Sequence, residues 1–119
     1  MCYETSQLAE KIYREAIRLG ADLDEIDRLK IKWDQLKAEH PGYYHTSGFS
    51  HPKLAILFLE NKKIDIKLSS WGLIPRWIKD EASAQNISNK TINARGETLF
   101  DKASFKLAAK MGRCILPMD

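Results

Sequence analysis

The residue with the most distinctive chemistry is Cys2. An initiator methionine is commonly removed ahead of a small residue. The chain would then begin with an α-amine and a thiol on one residue. The amine titrates near about 7.7–8.0 and a free thiol near about 8.5, so both are partly nucleophilic around neutral pH. An aldehyde takes such an amine to an imine. The thiol then closes on the same carbon to give a five-membered thiazolidine, a step made intramolecular by proximity. The plain alternative is a cysteine at position 2 by chance. A second cluster is Ile92-Asn93-Ala94-Arg95-Gly96-Glu97-Thr98. It sets an amide, a guanidinium and a carboxylate close together ahead of a helix. Arg matches phosphate geometry bidentately and Asn both donates and accepts, and a helix start attracts anions. The plain alternative is a capped turn with Thr98 as N-cap. A third cluster is Trp71-Gly72-Leu73-Ile74-Pro75-Arg76-Trp77. Exposed, it would stack on unpaired bases; buried, it would plug the core. The reading taken is Trp71 in the core and Trp77 at the surface.

These clusters need elements to position them. Leu8, Ala9, Ile12, Ala16 and Leu19 recur at helical spacing and predict a helix over 6–20, stopped by Gly20. Asp22 reads as an N-cap, with Glu25 completing a capping box. Leu23, Ile26, Leu29, Trp33 and Leu36 form the stripe of a second helix that ends before Pro41-Gly42. The two helices form a pair with no chemistry of their own. Residues 43–46 predict a short strand. The apolar run at 53–60 predicts a strand buried on both faces. Asn61-Lys62 turns the chain into a half-buried strand in which Ile64, Ile66 and Leu68 alternate with Asp65, Lys67 and Ser69. Residues 79–90 look like a polar loop, and residues 99–111 like a helix with Leu99, Ala103, Leu107 and Met111 on one stripe, ended by Gly112. Residues 113–116 begin another strand. The class is α+β.

The 119 residues allow one domain, with 44% apolar and 29% charged residues, an ordinary globular composition. No apolar run is long enough to cross a membrane and the first residues do not form a signal peptide, so an intracellular, cytoplasmic location is expected. Residues 1–60 carry 8 basic against 10 acidic residues, and residues 61–119 carry 11 against 6. The basic excess of the second half suits a phosphate-bearing partner, or is simply a solvated basic face. Cys2, Cys114, His40, His45 and His51 show no metal-ligand spacing, so no metal or cofactor is expected.

Met1-Cys2, the Trp71-Gly72-Leu73-Ile74-Pro75 segment, Asn93-Ala94-Arg95-Gly96-Glu97-Thr98, and Phe105 followed by Arg113-Cys114 together resemble the SRAP family, the SOS response-associated peptidase-like domain. The resemblance implies the N-terminal portion of a single SRAP domain over 1–119, with a helical insertion at about 5–40. The sheet would be part of a mixed or antiparallel, incomplete barrel-like fold. It further implies covalent recognition of abasic sites in single-stranded DNA, a DNA damage response role, through a thiazolidine on Cys2. Asn93 would help to hold the amine and the opened sugar. Arg95 would bind phosphate, Trp77 would stack beside the lesion with Arg76 and Trp71 in support, and Glu97 would fix the loop.

Three departures stand against the family pattern. Tyr3 and Glu4 follow Cys2 where the family has Gly-Arg, so an acid replaces a phosphate-binding base. The usual Asn-x-Ala-Pro turn is replaced by Tyr44-His45-Thr46-Ser47-Gly48. The family's catalytic Glu and His would lie beyond Asp119, which implies impaired activity. Two alternatives follow: a thiol (auto)peptidase, or an inactive fragment lacking those two residues.

Overall fold

The computed structural model describes residues 4–7, 9–40 and 42–118. Strand β1 (Glu4–Gln7) pairs antiparallel with β2 (Tyr43–Ser47), from Glu4 opposite Ser47 to Gln7 opposite Tyr43, with a register break between Thr5 and Gln7. Helices α1 (Ala9–Arg18) and α2 (Leu23–Leu36) lie between these strands in sequence. The first helix therefore begins later than its periodicity suggested. Residues 5–7 belong to a strand, because β1 finds its backbone partners in β2 rather than in its own turn. Gly20, at φ 91°, closes the corner after α1. Asp22 caps α2 by accepting the Glu25 N–H at 2.8 Å. The reciprocal half of the capping box is absent: the Glu25 carboxylate instead accepts the Ile64 N–H at 3.2 Å, tying α2 to the sheet.

Strands β3 (Lys53–Glu60) and β4 (Lys63–Ser70) form a second antiparallel pair, in register from Lys53–Ser70 to Glu60–Lys63. Asn61 and Lys62 both have positive φ, 51° and 64°, the backbone of a two-residue hairpin turn that matches strand twist. The sheet is thus two separate two-stranded sheets rather than one. The α+β class stands. The core joins the helical pair to the second hairpin: Ile12, Ala16, Ile26, Leu29 and Trp33 pack with Ala55, Leu57, Ile64 and Ile66. Strand β3 is covered on both faces only at its start. Leu54 and Ala55 are buried in succession, whereas Leu59 is 71% exposed. A half-buried ion pair, Lys32 Nζ to Asp65 Oδ1 at 2.6 Å, fastens α2 to β4. Burial works to raise the Asp65 carboxyl pKa, but Lys32, the Ile66 N–H and Arg28 outweigh it and hold the pKa low.

The strand expected at 113–116 is reduced to one bridge. Ile115 and Leu57 exchange both backbone hydrogen bonds, at 2.9 and 2.8 Å. The next rung would pair residue 117 with Ala55, and Pro117 has no N–H to give. The Gln7 side chain takes that rung. Its Oε1 accepts the Ala55 N–H at 2.7 Å, and its Nε2 donates to Ala55 O and to Pro117 O, both at 2.8 Å. His40 Nε2–H donates to the same Oε1 at 2.9 Å, while His40 Nδ1 accepts the Gly42 N–H. Every hydrogen-bonding position of this fully buried amide is filled. Burial lowers the His40 pKa.

Two further expectations change. Residues 79–90 are not a loop: α3 (Glu81–Lys90) occupies most of them, capped by Asp80, whose carboxylate accepts the Ser83 N–H at 2.8 Å. It lacks an apolar stripe because side-chain hydrogen bonds, described below, tether it. The helix expected over 99–111 is split. A 3-10 turn (Gly96–Thr98) comes first, and α4 (Ala103–Met111) starts four residues later than expected, with Lys102 rather than Thr98 at its cap. Gly112 ends it as anticipated. Leu107 and Met111 face outward, 43% and 77% exposed, so that stripe does not pack on the core.

Candidate functional site

The tryptophan segment leaves β4 and is clamped from both sides. Trp71 N–H donates to Pro52 O, and the half-buried indole lies so close to Gly48 that a Cβ there would meet its ring at 3.0 Å. At Gly72, φ is 114°, and a Cβ would sit 2.8 Å from His51 Nδ1 and 2.9 Å from Ser88 O. Only glycine fits, on both backbone and space. His51, itself in the left-handed region at φ 49°, donates from Nδ1 to Trp71 O at 2.7 Å, and its Nε2 lies 2.7 Å from Asn89 Oδ1. Thr91 Oγ1 donates to Leu73 O at 2.7 Å. The C-terminal turn of α3 therefore holds the segment through His51, Asn89 and Thr91.

Trp71 Nε1 donates to Ile92 O at 2.8 Å. This bond joins the tryptophan segment to the asparagine-arginine turn. Ile92 is buried and Asn93 half-buried, while Ala94, Arg95, Gly96 and Glu97 are exposed. Thr98 N–H donates to Arg95 O, closing the turn, and the Thr98 Oγ1 is buried without a partner among the described residues. Arg95 and Glu97 thus stand at the surface, in the same turn as the half-buried Asn93. Trp77, at 54% exposure, lies at the surface as expected, whereas Trp71 is half-buried rather than part of the core, its indole N–H reaching Ile92 O at the edge of the segment. Arg76 and Trp77 follow the buried Pro75 and face α4, lining a groove with Leu107 and Met111.

Cys2 lies outside the described residues. Cys114 is the other thiol. Burial pushes its pKa up, with Lys67 pulling the other way, so it stays a thiol and is a poor nucleophile. Among the described residues no group of His, Cys, Asp and Glu could hold a metal, and no helix is long and apolar enough to cross a membrane. Sequence reasoning overlooked Gln7, His51, Asn89 and Thr91. For His51 the available signal was its place next to Pro52 at a chain reversal. For Gln7 there was none, because its partners lie 48 and 110 residues away.

The family model described as SOS response associated peptidase (SRAP) matches residues 4–119. The abasic site processing protein YoqW of Bacillus subtilis is 42% identical over 98 residues, covering 81% of this chain and 40% of that protein. The abasic site processing protein HMCES of Rattus norvegicus is 31% identical over 127 aligned positions, covering all of this chain and 35% of that protein. A solved structure of a Bacteroides thetaiotaomicron protein superposes with a TM-score of 0.68 at 31% identity, over 97% of this chain and 45% of that one. The chain thus spans less than half the length of each of these proteins. With the tryptophan segment bonded to the asparagine-arginine turn, and with sequence and fold agreeing, the chain belongs to the SRAP family.

Proposed function

We propose that this chain is the N-terminal portion of an SRAP domain that captures abasic sites in single-stranded DNA covalently through Cys2. Helices α1 and α2 are an elaboration set between β1 and β2. With Met1 removed, the Cys2 α-amine adds to the C1′ aldehyde of the ring-opened sugar and loses water to give an imine. The Cys2 thiol adds to the imine carbon, its proton passes to the nitrogen, and the thiazolidine closes. The nucleophiles are the chain's own atoms, so the reaction needs no metal or cofactor. Asn93 holds the amine and the opened sugar, Arg95 binds backbone phosphate, and Trp77 stacks beside the lesion with Arg76 and Trp71 in support. Glu97 fixes the turn.

The observation that carries this reading is the bond from Trp71 Nε1 to Ile92 O, which sets a tryptophan segment suited to unpaired bases against a turn suited to phosphate. The relatives named for abasic site processing support the lesion as substrate. The test is intact mass after incubation with a single-stranded oligonucleotide carrying one abasic site, on this chain and on a version extended to the length of its relatives. An adduct of one oligonucleotide less one water, absent from Cys2→Ser, is expected. Adducts that persist in Cys2→Ser would overturn the assignment.

A further inference from the structure

His51 is held where its own backbone preference would not put it. Its φ of 49° and ψ of 51° lie in the left-handed region, which is costly for a residue with a Cβ. Such strain persists only where the surroundings over-determine it, and it gathers at functional sites. The surroundings here are a ring of hydrogen bonds. A carbonyl only accepts, so Nδ1–H donates to Trp71 O at 2.7 Å, while Nε2 meets the Asn89 side-chain amide at 2.7 Å. One residue on, Pro52 O accepts the Trp71 N–H at 3.1 Å. Trp71 Nε1 donates in turn to Ile92 O, three residues after Asn89, and from Ile92 the chain passes directly into Asn93. The ring is tight: a Cβ on Gly72 would meet His51 Nδ1 at 2.8 Å and Ser88 O at 2.9 Å.

The same histidine adjoins the other half of the site. Ser47, four residues before His51, pairs with Glu4 at the start of β1, and Glu4 is two residues from Cys2 in sequence. Imidazole suits the junction. It is a rigid ring with a nitrogen on each side, so it reaches a carbonyl of one segment and an amide of another at once. Histidine also enters the left-handed region more readily than most residues. We infer that His51 is a positioning residue for the capture reaction: through Trp71 and the end of α3 it fixes where Asn93 stands relative to β1, the strand that follows Cys2. The inference rests on the roles proposed above for Cys2 and Asn93 and adds a residue to them. His51 acts through Asn93 and not on the lesion itself.

The test combines NMR of this chain with the rate of adduct formation at saturating abasic-site oligonucleotide, on this chain and on its extended version. His51→Gly keeps the left-handed backbone and removes both side-chain bonds. Asn89→Ala, at an exposed position, opens the ring from its other end and keeps the test alive if His51→Gly does not fold. In both variants the Trp71 indole N–H and the Asn93 side-chain amide resonances should move, while the indole of the core residue Trp33 stays in place. Adduct formation should slow about tenfold with oligonucleotide affinity changed less than about twofold, because a displaced positioning group slows the reaction without weakening the binding. The decisive comparison is with Asn93→Ala. If His51 acts through Asn93, adding His51→Gly to Asn93→Ala should slow the reaction no further. Full additivity of the two losses, or unchanged rates in His51→Gly and Asn89→Ala, overturns the inference and leaves the proposed function standing. An unmoved Asn93 resonance overturns it equally, whatever the rates. If the wild type forms no adduct in either version, the proposed function and this role of His51 fall together.

Discussion

Single residues in this chain are constrained by what stands within 3 Å of them. At Gly72 a methyl group would collide with His51 and with a backbone carbonyl, in a backbone region other residues rarely adopt. Gly72→Ala should cost about 2–4 kcal/mol of unfolding free energy, measured by denaturant titration; a loss within experimental error would mean that the clamp yields freely. Lys62 is the opposite case. It occupies the second position of a turn that favours glycine, so Lys62→Gly should stabilise by about 0.5 kcal/mol, relief of strain outweighing the extra freedom of the unfolded chain. Arg95→Ala should leave the fold intact and lower the salt dependence of single-stranded DNA binding by about 0.7 in slope; an unchanged slope would remove Arg95 from the phosphate contacts. At this scale the sequence was informative where chemistry is local. The Asn93-Ala94-Arg95 turn, the exposed Trp77 and the Asp22 cap could all be read from neighbouring residues. Gln7 and His51 could not, because a polar side chain gives no sign of a partner far along the chain.

Elements follow the same division. The β3–β4 hairpin was legible because alternation and turn chemistry are contiguous in sequence. Helix α3 was not, since hydrogen bonds from Thr91 and His51 do the work that an apolar stripe normally does. Strand β1 was absorbed into a helix prediction because its stabilising partners, β2 and Ala55, come much later. The Gln7 rung gives the clearest prediction. Gln7→Leu would strand the Ala55 N–H and carbonyl, Pro117 O and His40 together, and should destabilise by about 3–5 kcal/mol in denaturant unfolding; a loss under about 1 kcal/mol would mean that water replaces the amide.

At the scale of the whole molecule, the helical pair supplies Ile12, Ala16, Ile26, Leu29 and Trp33 to the core. It is therefore structural whatever its origin. Replacing residues 9–36 by a short linker should uncover Leu57, Ile64 and Ile66 and abolish the cooperative thermal transition; a sharp transition in that variant would show that the two hairpins stand alone. Stability should also depend on pH through His40. Its folded pKa lies below the ordinary value of about 6.5, so below that pH the unfolded chain binds a proton that the folded chain resists. Stability is fully present above about 6.5 and falls as the pH is lowered through it. Melting curves from about pH 7.5 to 5.5 should show this fall, and His40→Gln should flatten it.

The Gln7 rung also sets an order of events during synthesis. Its amide cannot be satisfied until Pro117 has left the ribosome, 110 residues after Gln7 itself. At about 5–20 residues per second that delay is roughly 5–20 s. Once Tyr43–Ser47 has been made, β1 has β2 beside it, but until Pro117 follows it lacks the rung that fastens it to the second hairpin. A stretch of chain translated long afterwards thus decides when the opening strand is locked in place.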